Sequence, residues 1–353
     1  TQMQVMINTL NDIRTSDKQI SGTHGIGVLM ANSLMFQRFP DHNGYDDPQF
    51  SSFYGQTLPL LKRGIPVELV HMENTPFKDT FNGLQVLVMS YSNMKPMKSE
   101  YHNYLADWVK KGGTLVYCGE DVDPYQTVLE WWNTEGNAYK APSEHLFEAM
   151  GLSRNPGDGT YRFGKGTVIV MREDPKHFVL KGGNDRKYFE TIASAYESKT
   201  GKKIEIKNNF MVERGPYTIA AVMDESSSKE PLKLSGLYID LFDKGLPVLT
   251  VKQINPGEQG YLYDLNKVSG KVKAKVLCGA SRIYDEKVGR QSYSFVAKSP
   301  LHTTNVSRVL LPRKPEKVLV NGKAEQPEWD ESSKTLLLSF ENDPAGVNVS
   351  IEW

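Results

Sequence analysis

Cysteine is almost missing from this sequence: Cys118 and Cys278 are the two in 353 residues, far apart, and no Cys/His set has zinc spacing. Neither a disulfide framework nor a structural zinc therefore organises the chain. Charge of one sign is also lacking. Lysine and arginine together number 42 and the acids 42, so no net field favours nucleic acid, an anionic membrane or an acidic partner. No run approaches the ~20 apolar residues that a membrane helix needs. A phosphate loop is absent, and Gly25-Ile26-Gly27 precedes a strand instead of following one, so it is no dinucleotide fingerprint. No cofactor and no metal are expected. The chain opens at Thr1 without methionine and without the basic-then-apolar profile of a secretion signal, as a processed protein or an excised piece would.

What is present is globular: 39% apolar and 24% charged residues, over a length that implies two or three domains. The first half alternates strand-like and helix-like patterns, which predicts a parallel sheet. Ile26–Met30, Pro66–His71, Val86–Tyr91, Thr114–Cys118 and Thr167–Met171 read as its strands, with a long polar loop from about Asn32 to Gln49 after the first. Phe50, Phe53, Tyr54, Leu58 and Leu61 predict a helix that Pro59 bends or resets. Tyr101, Leu105, Trp108 and Val109 form one helical face that Gly112-Gly113 terminates. Val128, Leu129 and Trp132 predict a further helix, Leu146–Met150 a shorter one, and Gly151–Gly166 a Gly/Pro-rich stretch. Asn184–Ser198 closes the domain with Tyr188, Ile192, Ala195 and Tyr196 on one face.

Past Gly201–Lys203 the period changes. Eleven short apolar or alternating runs, from Phe210–Val212 to Val347–Trp353, are separated by turn signals such as Asn255-Pro256-Gly257 and Asn321-Gly322. Regular short strands predict antiparallel sandwiches, one or two of them, with a join near Asn266–Gly270.

Three stretches carry a resemblance: VLVMSYSNMKPM (86–97), WVKKGG (108–113) and TLVYCGEDVDP (114–124). Together they resemble the central part of the class I glutamine-amidotransferase-like fold. They are especially similar to its version following the catalytic barrel in glycoside hydrolase family 42 β-galactosidases, often called the trimerisation domain. The resemblance covers about residues 26–196 and implies a doubly wound, flavodoxin-like parallel sheet. In active amidotransferases the corresponding strand ends in a Gly-x-Cys-x-Gly elbow whose cysteine attacks an amide, because a nucleophile on a strained turn leaves no room for flanking side chains. Cys118 falls at or close to that position. Its flanks are Val116 and Glu120, with Gly119 the only glycine nearby, and the partner His-x-Glu is missing from the late Arg172–His177 segment. Two readings of Cys118 follow: a thiolate activated by His71 or His177, or a small buried hydrophobe closing a strand.

In open α/β sheets the site lies beyond the C-terminal strand ends. Ser90, Tyr91, Ser92 and Asn93 there offer hydroxyls and an amide to a polar ligand, or serve as turn residues. Glu120, Asp121 and Asp123 form an acidic cluster that could coordinate calcium or place paired carboxylates, or be a solvated helix start. Trp131-Trp132 reads as a sugar-stacking pair or as core, and His24, His42, His102, His145 and His302 have no defensible partner spacing.

Arg214-Gly215-Pro216-Tyr217, Leu237–Leu241 with Asn255–Glu258, and PEKVLVNG (315–322) with Trp329-Asp330 resemble C-terminal sandwich modules of bacterial glycoside hydrolases. Tyr217, Tyr238, Tyr261, Tyr263 and Trp329 are either sugar-stacking rings or sandwich core. The expected organisation is an α/β domain over 1–200 (residues 1–25 a lead-in), a β-sandwich module over 201–268 and an Ig-like sandwich over 269–353. The resemblances imply a non-catalytic C-terminal region of a bacterial, periplasmic or extracellular glycoside-hydrolase-like protein. Its expected partner is an upstream barrel or another copy of itself, with carbohydrate as a further ligand. A carbohydrate-binding module and a degenerate amidohydrolase are the alternatives.

Overall fold

The computed structural model describes residues 2–13, 17–36, 51–268 and 273–353. Contacts divide the chain into two compact units: residues 22–208 with 226–228, and residues 1–21 with 209–225 and 229–353. The chain starts with α1 (Gln2–Asp12) and β1 (Lys18–Ile20), both in the latter unit.

The unit of residues 22–208 contains β2 (Ile26–Met30), α2 (Ser33–Phe36), α3 (Ser51–Leu61), β3 (Glu68–His71), β4 (Val86–Met89), α4 (Glu100–Lys110) and β5 (Thr114–Cys118). It continues with α5 (Pro142–Ala149), β6 (Gly159–Phe163), β7 (Gly166–Met171), α6 (His177–Leu180) and α7 (Asp185–Thr200). The sheet order is β3-β2-β4-β5-β7-β6, parallel throughout except for the β6–β7 hairpin. β4 and β5 are buried along their whole length, as the uninterrupted apolar runs VLVM and TLVYC require when both sheet faces are covered. Alternation then splits their side chains. Leu87, Met89, Leu115, Tyr117, Val168 and Val170 join the core with Leu105 and Val109 of α4 and Leu146 and Phe147 of α5. Val86, Val88, Val116, Cys118 and Met171 join Leu60 of α3 and Tyr188 and Ile192 of α7 on the opposite face.

Differences from the sequence reading have local causes. Val128–Trp132 is not helical. A 3-10 turn at Pro124–Thr127 is capped by Asp123 and the chain leaves it extended at Val128, so the apolar residues never share a face. The Gly/Pro-rich stretch contains β6, whose half-exposed edge position hides its pattern. α3 runs through Pro59 unbroken, because the ring sits in its last turn and removes a single helical hydrogen bond. The loop expected over 32–49, with His42 and Phe50, falls largely outside the described residues.

The second unit adds β8 (Asn209–Arg214), β9 (Tyr217–Val222), β10 (Leu232–Asp240), β11 (Val248–Ile254), β12 (Gln259–Asp264), β13 (Lys275–Gly279) and β14 (Arg282–Val288). It ends with β15 (Ser292–Lys298), β16 (Thr304–Leu310), β17 (Lys317–Val320), β18 (Lys323–Ala324), β19 (Glu328–Asp330), β20 (Thr335–Glu341) and β21 (Val347–Glu352). Sheets β13-β16-β20-β19 and β14-β15-β21-β17-β18 form a sandwich around Tyr293, Phe295, Val309, Leu336 and Val349. Asn321 and Gly322, both at positive φ, make the β17–β18 hairpin turn that the sequence signals.

The remaining strands form one six-stranded sheet, β1-β8-β9-β12-β10-β11, which among the described residues has no second sheet of its own. Its apolar face, with Tyr217, Ile239, Tyr261 and Tyr263, is covered instead by Val5 of α1 and by Leu277, Cys278 and Leu310 of the neighbouring sandwich. Residues 1–21 are thus no lead-in to the α/β unit: β1 pairs with β8, and Thr9 and Asp12 of α1 receive the Tyr261 and Tyr217 hydroxyls. The expected join at Asn266–Gly270 falls partly outside the described residues.

Candidate functional site

Loops at the C-terminal ends of β2, β4, β5 and β7 meet around one buried ion pair. Lys95 Nζ lies 2.6 Å from Asp123 Oδ2, and both side chains are out of solvent. The lysine also donates to the Tyr91 carbonyl. Burial lowers the Lys95 pKa and outweighs the opposing pull of Asp123. Asp123 is fully used: it accepts from Asn93 N at 3.2 Å, Tyr125 N at 3.0 Å and Gln126 Nε2 at 3.3 Å as well. Ser33 bridges in from the β2 end, accepting from Lys95 N at 2.8 Å and donating to Lys95 O at 2.5 Å. Asn93 Nδ2 donates to Ser52 Oγ at 3.4 Å, and Ser52 in turn to Asp174 at 3.3 Å. An ion pair so deep adds little net stability, since its desolvation offsets much of its Coulomb gain.

Asp121 is consumed in a second cluster. It accepts from Arg172 Nη1 at 2.7 Å, Ser143 Oγ at 2.7 Å and Tyr117 OH at 2.5 Å. The strand ends bring Asn93 and Asp123 into direct contact, with Ser90–Asn93 buried, while Glu120 is exposed. Asp121 and Asp123 each face a cation already in place, and among the described residues no group of three or more His, Cys, Asp or Glu could hold a metal.

Cys118 does not face the crevice. It packs with Val116, Tyr188 and Ile192 on the α7 side of the sheet, and burial, with Glu173 and Asp158 adding to it, pushes its thiol pKa far up. Its ladder to Met171 continues into the bond from Gly119 N to Met171 O at 3.0 Å, and Cys118 is not among the positive-φ residues. The sharp strained turn of a nucleophile elbow is therefore missing. His71 ends β3, three strands away, or about 14 Å at the usual interstrand spacing. His177 has Nδ1 3.9 Å from Glu173.

Beside the crevice lies a relay that the sequence reading missed. His102, fully buried on α4, has Nε2 2.6 Å from Tyr91 OH and Nδ1 2.8 Å from His145 Nδ1. Burial, then the His145 charge, hold its pKa well below 6.5. Trp131 meets both imidazoles edge-on, at 5.6 and 5.3 Å, and is perpendicular to Trp132, so the two indoles make no flat sugar platform. Histidine 43 residues from its partner has no sequence signature. The spacing of His102 on the buried helical face was the one available cue.

The sandwich-side rings fall into two groups. Tyr217, Tyr261 and Tyr263 are buried, which makes them core, whereas Tyr238 and Trp329 are partly exposed.

No family model matches the chain, and no curated protein matches it significantly. Solved structures do. Gan42B, a GH42 β-galactosidase from G. stearothermophilus, aligns over 68% of this chain and 40% of its own at 13% identity and a TM-score of 0.40. The β-galactosidase of Bacillus circulans sp. alkalophilus aligns over 68% of this chain and 41% of its own, at 11% identity and a TM-score of 0.41. That of the psychrophilic Marinomonas ef1 aligns over 74% and 41%, at 11% identity and a TM-score of 0.40. The chain thus spans about two fifths of the length of these proteins.

Proposed function

We propose that the α/β unit is a non-catalytic accessory domain of a bacterial glycoside-hydrolase-like protein, a doubly wound, flavodoxin-like relative of the glutamine-amidotransferase scaffold. Its role is assembly, against a catalytic barrel or another copy of itself. One observation carries this reading: the cysteine and two of the three acids at the strand ends are turned away or already paired. Cys118 faces the core, Asp123 is held by Lys95, and Asp121 by Arg172. The strand order 2-1-3-4-5 of the five parallel strands supports the flavodoxin-like description. Exposed apolar side chains on the strand-end loops support assembly. Met97, Val122 and Leu129 are 61%, 73% and 80% exposed, on loops joined by the bond from Trp131 Nε1 to Pro96 O.

Turnover on a panel of aryl glycosides and glutamine should be absent and unchanged by Cys118→Ala; activity lost with that thiol would sink the reading. Sedimentation velocity, alone and with a glycosidase barrel added in trans, tests assembly. The expected result is an association that Val122→Asp with Leu129→Asp weakens. A wild type that stays monomeric and indifferent to the barrel overturns it.

A second reading, carbohydrate held in the crevice by Ser90–Asn93 and Glu120–Asp123, is favoured by the buried Gln126 Oε1, which has no partner beside Asp123 and could accept from a sugar hydroxyl. Titration calorimetry with a neutral glycan panel decides it, and flat traces throughout remove it.

A further inference from the structure

The α/β sheet is not covered evenly. On the face that carries Val116, Cys118 and Met171, α7 packs over β4 and β5. Among the described residues no α-helix follows it, and a groove of about 680 Å³ opens between α7 and the β6–β7 hairpin. This volume is in the range of small-ligand sites.

Hydroxyl and cationic side chains predominate on its walls, beside Ile169, Val170, Met171 and Ala195. The floor is a cross-strand row, Arg162 opposite Thr167 and Thr167 opposite Thr114, with Thr160 opposite Ile169 in the next. α7 contributes Thr191, Ser194 and Ser198 from the other side. Four cations line the same groove: Arg162, Lys165, Lys187 and Lys199. Of these, only Lys187 has a carboxylate within reach, Asp158 at 3.8 Å; among the described residues Arg162, Lys165 and Lys199 have none. The other acid in the lining, Glu190, is neutralised by Arg186 at 2.8 Å. Three uncompensated positive charges around a hydroxyl-lined trough make a local anion preference in a chain whose net charge is zero.

We propose that this groove binds an anionic glycan, a short oligosaccharide bearing carboxylate or sulfate groups, with Arg162, Lys165 and Lys199 on the acid groups and the threonines and serines on ring hydroxyls. The lining holds no aromatic side chain, so neither a base nor a sugar ring can stack there, and binding must come from the cations and hydroxyls. It lies on a different part of the sheet from the strand-end crevice and does not rest on the accessory-domain reading.

Calorimetry on the full chain at physiological salt tests it with oligogalacturonate, a sulfated galactan oligosaccharide, the corresponding neutral oligosaccharides, inorganic sulfate, oligo-dT and oligo-glutamate. The expected result is binding of the carboxylated or the sulfated oligosaccharide, weakening as salt rises, with neutral sugars silent. Which of the two binds assigns the acid group. Arg162→Ala with Lys199→Ala should weaken it by about tenfold or more, the loss of two charge-assisted contacts. Ser194→Trp, which fills the groove from an exposed position on α7, should abolish it with the thermal transition unchanged. Silence toward both anionic oligosaccharides overturns the proposal. So does equal binding of the neutral ones, tighter binding of oligo-dT or oligo-glutamate, or affinity untouched by all three substitutions.

Discussion

At the scale of single residues, His102 has the most measurable consequence. Tyr91, Trp131 and His145 surround it, and the Glu148 charge acts on His145 rather than on His102. Burial and the His145 charge keep it neutral in the fold to well below 6.5, while the unfolded chain takes up its proton near 6.5. Below that pH the unfolded state binds the extra proton, so stability falls with acidification. The loss approaches about 1.4 kcal/mol per pH unit for one such group between about pH 6.5 and the lower folded value. Thermal melts at about pH 7 and about pH 5 should show this slope. His102→Phe should flatten it, although it lowers the melting temperature at neutral pH by leaving Tyr91 OH unpaired. A slope unchanged in that variant would assign the acid sensitivity elsewhere. Cys118 makes the complementary point. The sequence resemblance expects a nucleophile at or close to its position while the flanking Val116 and Glu120 tell against one, and only the sheet face it occupies shows where its thiol goes.

At the scale of elements, the parallel strands were legible because buried strands must be continuous apolar runs, and β5 appears at the residues expected. Elements that depend on a partner were not. α1 and β1 have little pattern of their own; a distant strand and two tyrosine hydroxyls hold them. β6 is an edge strand with one partner. Its hairpin nevertheless contains a tight constraint. A Cβ on Gly166 would lie 1.9 Å from Val109 O and 2.4 Å from Gly113 O, where β7 starts against the end of α4. Gly166→Ala should destabilise by about 3 kcal/mol or more, because backbone must move to admit it. Gly157→Ala, with nothing within 4 Å, should stay within about 0.5 kcal/mol of wild type. Urea unfolding of the two variants checks the contrast, and equal midpoints would refute the packing account.

At the scale of the whole molecule, the first 21 residues belong with the last 125 and more, which no local signal announces. Deleting residues 1–21 removes Val5 from an apolar core and unpairs the edge of β8. The unit of residues 209–353 should then lose protection from amide exchange across β8, β9 and β12, while β4 and β5 keep theirs. Exchange followed by mass spectrometry reads both, and uniform loss across the two units would count against the division. No helix among the described residues is long and apolar enough to cross a membrane.

The sequence by itself determined the periods: continuous apolar runs for the central parallel strands, helical faces for α4 and α7, and short alternating strands beyond Gly201. These are local properties, set by which side chains one segment must bury. Tertiary structure alone decided the pairings. The ion pair of Lys95 with Asp123, the union of His102 with His145, and the cover of the six-stranded sheet by α1 all join residues far apart in the chain. Such contacts form only once the sheet order is fixed, and sheet order is a property of how the strands assemble, not of any one of them.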